Sequence, residues 1–413
     1  MNTLEPVSVA MVVACPFPAN YGTPGAIREM AELLTQRGHN VHVVTYPWGE
    51  SSDVGKLKIW RSGRLRSSRP IYSGPSFEKP VMDLLLLKKL LSVIRREKIN
   101  VIHAHHCEAA LVGEAAKLLT GTPLVFHAHG LMSDELPAYR VFPRLARRIG
   151  HAADSFVSHR PDHIITITDR LRKTYIDLGV EPERIETIAQ SMDPEIFAQA
   201  DGESLRCRFN LGARQVAMYT GICSPLQRPD YLLRAFSVVI ESEPTTQLLV
   251  LSPLEHDPDM PECKRMASEL GIERNIIWVQ GHKLSELKDY LAMASVTVIS
   301  RPDVPGMPIK FVNSMMASKP AVCFAGAVEG AEHLREAYIV PDHDWRALGQ
   351  GIVTLLQNRE LAQAMGSRGR KIVVGRYCDP DAFCERVEAI YAKLMPPRER
   401  ELALVSDAPD PAV

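Results

Sequence analysis

The sequence predicts an α/β protein made of two Rossmann-like, doubly wound domains that face each other across a cleft. Three observations lead there. At 413 residues the chain exceeds what one ordinary hydrophobic core organises, so two domains of roughly 200 residues each are expected. Short continuous apolar runs, the pattern of parallel strands covered on both faces, alternate with segments of helical periodicity. That alternation restarts after a polar stretch from Ala198 to Arg206, which reads as a linker. The expected boundaries are 1–200 and 201–395, with 396–413 too proline-rich and charged to pack and expected to be disordered.

In the first half, Val7 to Cys15 is an apolar run, followed by the loop PFPANYGTPG and a helix carrying Met30, Leu33 and Leu34 that closes at Gly38. Asn40 to Tyr46 is the next strand, so a right-handed βαβ unit is expected. The loop lacks the G-x-G-x-x-G fingerprint, which disfavours nicotinamide and flavin cofactors. Asn100 to His105 and Pro123 to His129 are strands that finish in histidines, and His163 to Thr168 and Arg184 to Ala189 bring the count to about six. In the second half Gln215 to Gly221, Gln247 to Ser252, Asn275 to Gln280, Ser295 to Ser300 and Ala321 to Phe324 are strands separated by helical patterns. Helices at Ala347 to Leu356, Arg359 to Val374 and Ala382 to Leu394 complete the second domain.

Composition excludes several classes. Net charge is −1, which gives no global argument for a nucleic-acid partner. The eight cysteines form no C-x-x-C pair, and buried free thiols in a reducing, cytoplasmic compartment are expected in preference to disulfides or a zinc site. The N-terminal apolar run has no basic flank and is interrupted by prolines, so it reads as a core strand, not a signal peptide or a membrane span. Two segments mix cations with bulky apolar residues: MDLLLLKKLLSVIRREK, preceded by the basic stretch Lys56 to Lys79, and YRVFPRLARRIG from Tyr139 to Gly150. Either is explained as a core-packing helix with a charged outer face; two in one half also fit peripheral contact with an anionic membrane surface.

The ligand is expected near SRPDVPGMPIKFVNSMMASKPAVCF, Ser300 to Phe324. Its pattern is strand end, proline and glycine loop, helix and second strand, the setting in which α/β proteins place phosphorylated ligands. Pro302, Pro305 and Gly306 shape the loop, and Lys310 adds a cation near the helix start, although the same lysine alone could be a solvated surface residue.

Taken together, PFPANYGTPGAIREMAELLTQRGHNVHVVTY, NVIHAH, PLVFHAHG, PDHIITITDRLRKTYIDLGV, IETIAQSMDPEIF, MYTGICSPLQRPDYLLRAF and PGMPIKFVNSMMASKPAV resemble a retaining glycosyltransferase of the GT-B fold, glycosyltransferase family 4, over residues 6 to about 395. The resemblance implies transfer of a sugar from a nucleotide diphosphate donor, a UDP- or GDP-sugar, to a glycan or lipid-linked acceptor, with retention and with neither metal nor other cofactor. It further implies that Gly22 and Gly221 bring backbone amides to the donor and that His129 lines the sugar side of the cleft. Pro305, Gly306, Met307, Pro308, Arg228 and Asn313 complete the expected donor contacts, with Lys310 and His129 as the residues that act on the reacting groups. Without the resemblance, His129 reads first as a strand-end histidine donating to a backbone carbonyl.

The chain also departs from the family pattern. The arginine and lysine usual after the first strand of the second domain read Ile222 and Gln227, and the usual glutamate pair reads Pro305 and Asn313. In the linker the usual Asn-Gly reads Gln190-Ser191, before Met192 and Asp193. A rebuilt site would let Lys310 and Arg228 neutralise the diphosphate while Asn313 bonds the donor ribose. The alternatives are a cleft that binds without turnover, as a scaffold, and a nucleotide-sugar epimerase using Glu108, Asp134, Glu135 and His106.

Overall fold

The computed structural model describes residues 5–19, 22–49, 55–64, 70, 74, 76–139, 142–191, 197–302 and 308–395. The first half alternates β1 (Ser8–Val13), α1 (Gly22–Gln36), β2 (Asn40–Thr45), β3 (Lys58–Arg61), α2 (Lys79–Glu97), β4 (Val101–His105), α3 (His106–Thr120), β5 (Leu124–Ala128), α4 (Met132–Ala138), α5 (Pro143–Ser158), β6 (His163–Thr166), α6 (Asp169–Asp177) and β7 (Ile185–Thr187). The second continues with α7 (Gly202–Arg208), β8 (Val216–Thr220), α8 (Pro229–Ser242), β9 (Gln247–Ser252), α9 (Met260–Glu269), β10 (Ile276–Gln280), α10 (Leu287–Met293) and β11 (Val296–Ile299). It closes with α11 (Ile309–Met316), β12 (Ala321–Phe324), β13 (Tyr338–Val340), α12 (Trp345–Gln357), α13 (Arg359–Tyr377) and α14 (Pro380–Leu394).

Two parallel sheets result, ordered β3-β2-β1-β4-β5-β6-β7 and β10-β9-β8-β11-β12-β13. Both are Rossmann-like, as the alternation predicts. In each, strand order reverses beside the first strand, between β1 and β4 and between β8 and β11, and the loops leaving those strands open a crevice at the carboxyl edge. The central strands read as unbroken apolar runs because both faces are covered: β1 is buried from Val9 to Val13, and β9 throughout.

Both sheets have one strand more than expected. β3 lies in the basic segment after Lys56 and β13 in a polar stretch; each is a short edge strand with half-exposed residues, so neither carries the apolar signature of a central strand.

The helices start where local chemistry starts them. Asp344, Asn358 and Asp379 cap α12, α13 and α14 by accepting from the N–H groups of Ala347, Leu361 and Ala382. The last of these helices reaches across the expected division at residue 200. Although α14 belongs to the second half of the sequence, its Phe383, Val387, Ile390 and Tyr391 pack with Val9, Met11 and Ile27 under the first sheet. Arg37 and His39 of that first half grip Glu388 at 2.7 and 2.9 Å. The tail from 396 lies outside the described residues.

The two halves also meet directly. Helix α1 packs against α11, α4 packs against the turn Pro225–Gln227, and the Arg170 N–H donates to Glu329 Oε1 at 2.8 Å. All eight cysteines are free. Among the described residues no helix is long and apolar enough to cross a membrane.

Candidate active site

The crevice floor on the second half is built from the end of β8. Gly221 has φ +130, which favours glycine, and a Cβ there would lie 3.0 Å from the Lys310 ammonium nitrogen. The following loop is held from beneath, because the Asp257 carboxylate accepts from the Cys223 N–H at 2.8 Å and from the Ser252 hydroxyl at 2.7 Å. Ser300, just past β11, donates its hydroxyl to the Gln227 carbonyl at 2.8 Å, tying the two switch-point loops together.

Lys310, in the first turn of α11, reaches back into this corner. Its ammonium nitrogen lies 2.8 Å from Gln227 Oε1 and 4.3 Å from the centre of the Tyr219 ring. Desolvation, then the charge of Arg301, holds it well below the usual lysine range. Lys310 thus arrives from α11 to bond the side chain that stands at position 227.

Arg228 is ion-paired within its own loop. Its guanidinium donates twice to Asp230, at 2.8 and 2.7 Å, and stacks on Tyr231 at 3.3 Å. The adjacent carboxylate already neutralises it. Asn313 is buried one turn after Lys310, and its Oδ1 has no hydrogen-bond partner among the described residues. Pro308 caps α11, and Gly22 opens α1 at φ +45 with open space beside it. Pro305, Gly306, Met307, Met192 and Asp193 lie outside the described residues, so their expected roles are not placed.

On the first half, the strand-end histidines form one ladder. His103 and His105 on β4 and His127 and His129 at the end of β5 share a face of the sheet because each pair is two residues apart. His103 and His105 stack at 4.6 Å with planes 8° apart, and His127 and His129 at 4.4 Å and 14°. The ladder begins at the Tyr391 hydroxyl, 2.6 Å from His103 Nδ1, and His103 Nε2 lies 3.2 Å from His127 Nδ1. At its upper end His105 Nδ1 is 3.1 Å from His129 Nε2. Among the described residues His105 Nε2 has no partner; a buried orphan N–H is the rarer vacancy, so the proton belongs on His105 Nδ1, donating to His129. That leaves His129 with an Nδ1–H, a donor for a ligand oxygen.

Burial holds His103, His105, His127 and His129 below the usual histidine range, so they are neutral at pH 7. The nitrogens of His103, His105 and His127 lie within 4.8 Å of one another, close enough to suggest a metal site. However, the rings of His103 and His105 are almost parallel, so their in-plane lone pairs run side by side without converging, and both nitrogens of His103 are already engaged.

Two further groups enter the crevice. Glu135, on α4, is raised to about 7 by desolvation and then by Glu108, with Arg301 opposing. Arg301, at the carboxyl end of β11, was not singled out from the sequence, where it is one arginine between a strand and a proline. Its signal was its position, the first loop residues after a switch-point strand.

With this geometry in view, the comparisons with known proteins are specific. Residues 22–196 match the family model described as Glycosyltransferase Family 4, and residues 209–372 the model of Glycosyl transferases group 1. The chain is 27% identical over 291 residues to the D-inositol 3-phosphate glycosyltransferase of Acidothermus cellulolyticus, covering 66% of this chain and 64% of that enzyme. It is 26% identical over 293 residues to the GDP-mannose-dependent alpha-(1-6)-phosphatidylinositol monomannoside mannosyltransferase of Mycolicibacterium smegmatis, covering 66% and 73%. The sucrose-phosphate synthase of Thermosynechococcus elongatus superposes with a TM-score of 0.77 at 17% identity, over 94% of this chain and 99% of that one. Anabaena HepE in complex with UDP-glucose gives 0.73 at 15% identity, over 94% and 99%. The structural likenesses speak to the fold, and the consecutive family models to the lineage: the chain belongs to glycosyltransferase family 4 and has the GT-B fold.

Proposed function

We propose that the chain moves a glycosyl group from a UDP- or GDP-sugar to a hydroxyl of a glycan or lipid-linked acceptor, with retention at the anomeric carbon and without a metal ion. The observation that carries the reading is Lys310, whose ammonium nitrogen is hydrogen-bonded to Gln227 Oε1 beside Gly221, on the switch-point floor where a diphosphate would lie. The hard step is departure of a diphosphate from an oxocarbenium-like centre, which needs positive charge and donors at the leaving oxygens. In this reading Lys310 supplies the charge, Gly221 lets backbone approach the phosphates, and the His129 Nδ1–H donates to an oxygen of the sugar. Asn313 offers its amide to the donor ribose, with Gly22 and Pro308 as further donor contacts.

The acceptor side supports a membrane as partner. Among the described residues ten of twelve exposed large apolar side chains belong to one helical layer or its edges: Phe77, Val81 and Leu84; Leu111, Leu118 and Leu119; Phe142, Leu145, Ile149 and Phe156. Arg144, Arg147 and Arg148 flank the last stripe, which suits an anionic lipid surface on the cytoplasmic side.

The test is to incubate purified protein with UDP-, GDP- and ADP-sugars and lipid and glycan acceptor extracts, following nucleotide release and the anomeric configuration of the product. Retained product in the presence of a chelator is expected. Inverted product, or activity lost with the chelator and restored by a divalent ion, contradicts the finer reading. Because Ile222 and Gln227 replace the usual cations, binding without turnover is the competing outcome and would favour a scaffold; an epimerised sugar formed without acceptor would favour an epimerase.

A further inference from the structure

Arg301 leaves β11 at the switch point directly after Ser300, whose hydroxyl holds the Gln227 carbonyl at 2.8 Å, while the Lys310 ammonium holds the Gln227 side chain at 2.8 Å. Both cations therefore flank one residue, and the charge of Arg301 bears on Lys310 and on Glu135. A guanidinium is cationic at any pH a protein survives, and it presents five donors in a planar fork. Here the fork is incompletely engaged: the Nε–H is buried and has no hydrogen-bond partner among the described residues. Desolvation, the largest influence on the group, pulls Arg301 below the usual arginine range, with Glu135 and Tyr219 opposing. The carboxyl nearest in effect, Glu135, is itself raised to about 7 and supplies only part of a counter-charge at neutral pH. Lys310 beside it donates to a neutral amide oxygen, and Arg301 repels it.

Two cations share one desolvated corner, and no full anion balances them among the described residues. Bringing like charges together away from water costs several kcal/mol unless an anion completes the set. Both residues are half-buried, so neither is sealed off from solvent.

We infer that Arg301 and Lys310 form a paired seat for the diphosphate of the donor, with the Arg301 fork binding phosphate oxygens. This rests on the donor reading above and adds Arg301 to it. Arg301 is a binding residue that stands in for the cation missing at Ile222, as Lys310 stands in for the one missing at Gln227. A bidentate fork holds a phosphate in orientation as well as in charge, so loss of Arg301 affects the diphosphate and spares the nucleoside.

The test is titration of UDP, GDP, inorganic pyrophosphate, uridine and guanosine into wild type, Arg301→Gln and Arg301→Lys, with thermal unfolding of each unliganded protein. The expected result is a loss of roughly 10- to 100-fold for UDP, GDP and pyrophosphate in Arg301→Gln, the scale of a charge-assisted bond. Nucleoside binding should hardly change, and Arg301→Lys should recover part of the loss. Unliganded Arg301→Gln should melt at or above the wild-type temperature, because it removes a poorly compensated charge. Unchanged diphosphate affinity in Arg301→Gln overturns the inference while leaving the donor reading intact. A lowered melting temperature with equal loss of nucleoside and diphosphate also overturns it, by making Arg301 structural. Wild type that binds neither nucleoside diphosphate nor pyrophosphate removes the donor reading and the seat together.

Discussion

Lys310 is a lysine that the crevice holds with its ammonium form disfavoured. Desolvation and Arg301 lower it, the thiol of Cys223 opposes them, and its hydrogen-bond partner Gln227 is neutral. The unfolded chain binds that proton more readily, so the group contributes a stability deficit at neutral pH that fades as pH rises toward the usual lysine range. The unliganded wild type is therefore expected to gain stability with pH across that interval relative to Lys310→Met, as measured by denaturant midpoints. Binding of UDP or GDP should take up a proton at pH values between the lowered and the usual lysine range, seen as a calorimetric enthalpy that tracks the ionisation enthalpy of the buffer. Lys310→Ala should weaken diphosphate binding by about 1.5 to 3 kcal/mol. An unaltered dissociation constant would remove the residue from the site.

At the scale of elements, α11 owes its position to α13. A Cβ at Gly366 would stand 2.0 Å from the Ser318 carbonyl oxygen, and one at Gly369 would stand 3.1 Å from the Met315 side chain, so α13 lies on the C-terminal end of α11 through glycines. Gly366→Ala should cost about 1 to 3 kcal/mol by overpacking, read from chemical denaturation. It should also weaken donor binding, because Lys310 rides on the displaced helix. A different element prediction concerns α5, where Leu145, Ile149 and Phe156 form an exposed stripe that the fold does not use. Ile149→Glu should leave folding unchanged within about 0.5 kcal/mol and abolish low-salt sedimentation with vesicles containing anionic lipid. Wild type that stays in the supernatant would refute the membrane contact itself.

At the scale of the molecule, the last helix straps the end of the chain to the first sheet. Burial alone would raise the Glu388 carboxyl, but Arg37 and His39 outweigh it and hold it below the usual glutamate range. Such a group contributes stability above that range, and the contribution is lost as pH falls through the lowered value. Glu388→Ala should destabilise the first sheet by about 3 kcal/mol near neutral pH, with the difference shrinking in acid. Equal melting of variant and wild type at pH 7 would show that apolar packing of Phe383, Ile390 and Tyr391 holds the strap unaided.

The sequence by itself determined the two parallel sheets and their switch-point loops, because parallel strands buried on both faces must be continuous apolar runs and the intervening helices must repeat every three to four residues. It determined Lys310 as a candidate, since a lysine following a proline and glycine loop stands near a helix start. Edge strands β3 and β13 were not legible, having too little buried surface to leave a pattern. Only the tertiary structure decided that Arg228 is spent on Asp230, that Arg301 shares the corner with Lys310, and that α14 crosses to the first sheet. These are matters of which charges become neighbours when distant segments meet in a desolvated crevice, and spacing along one chain does not encode that proximity.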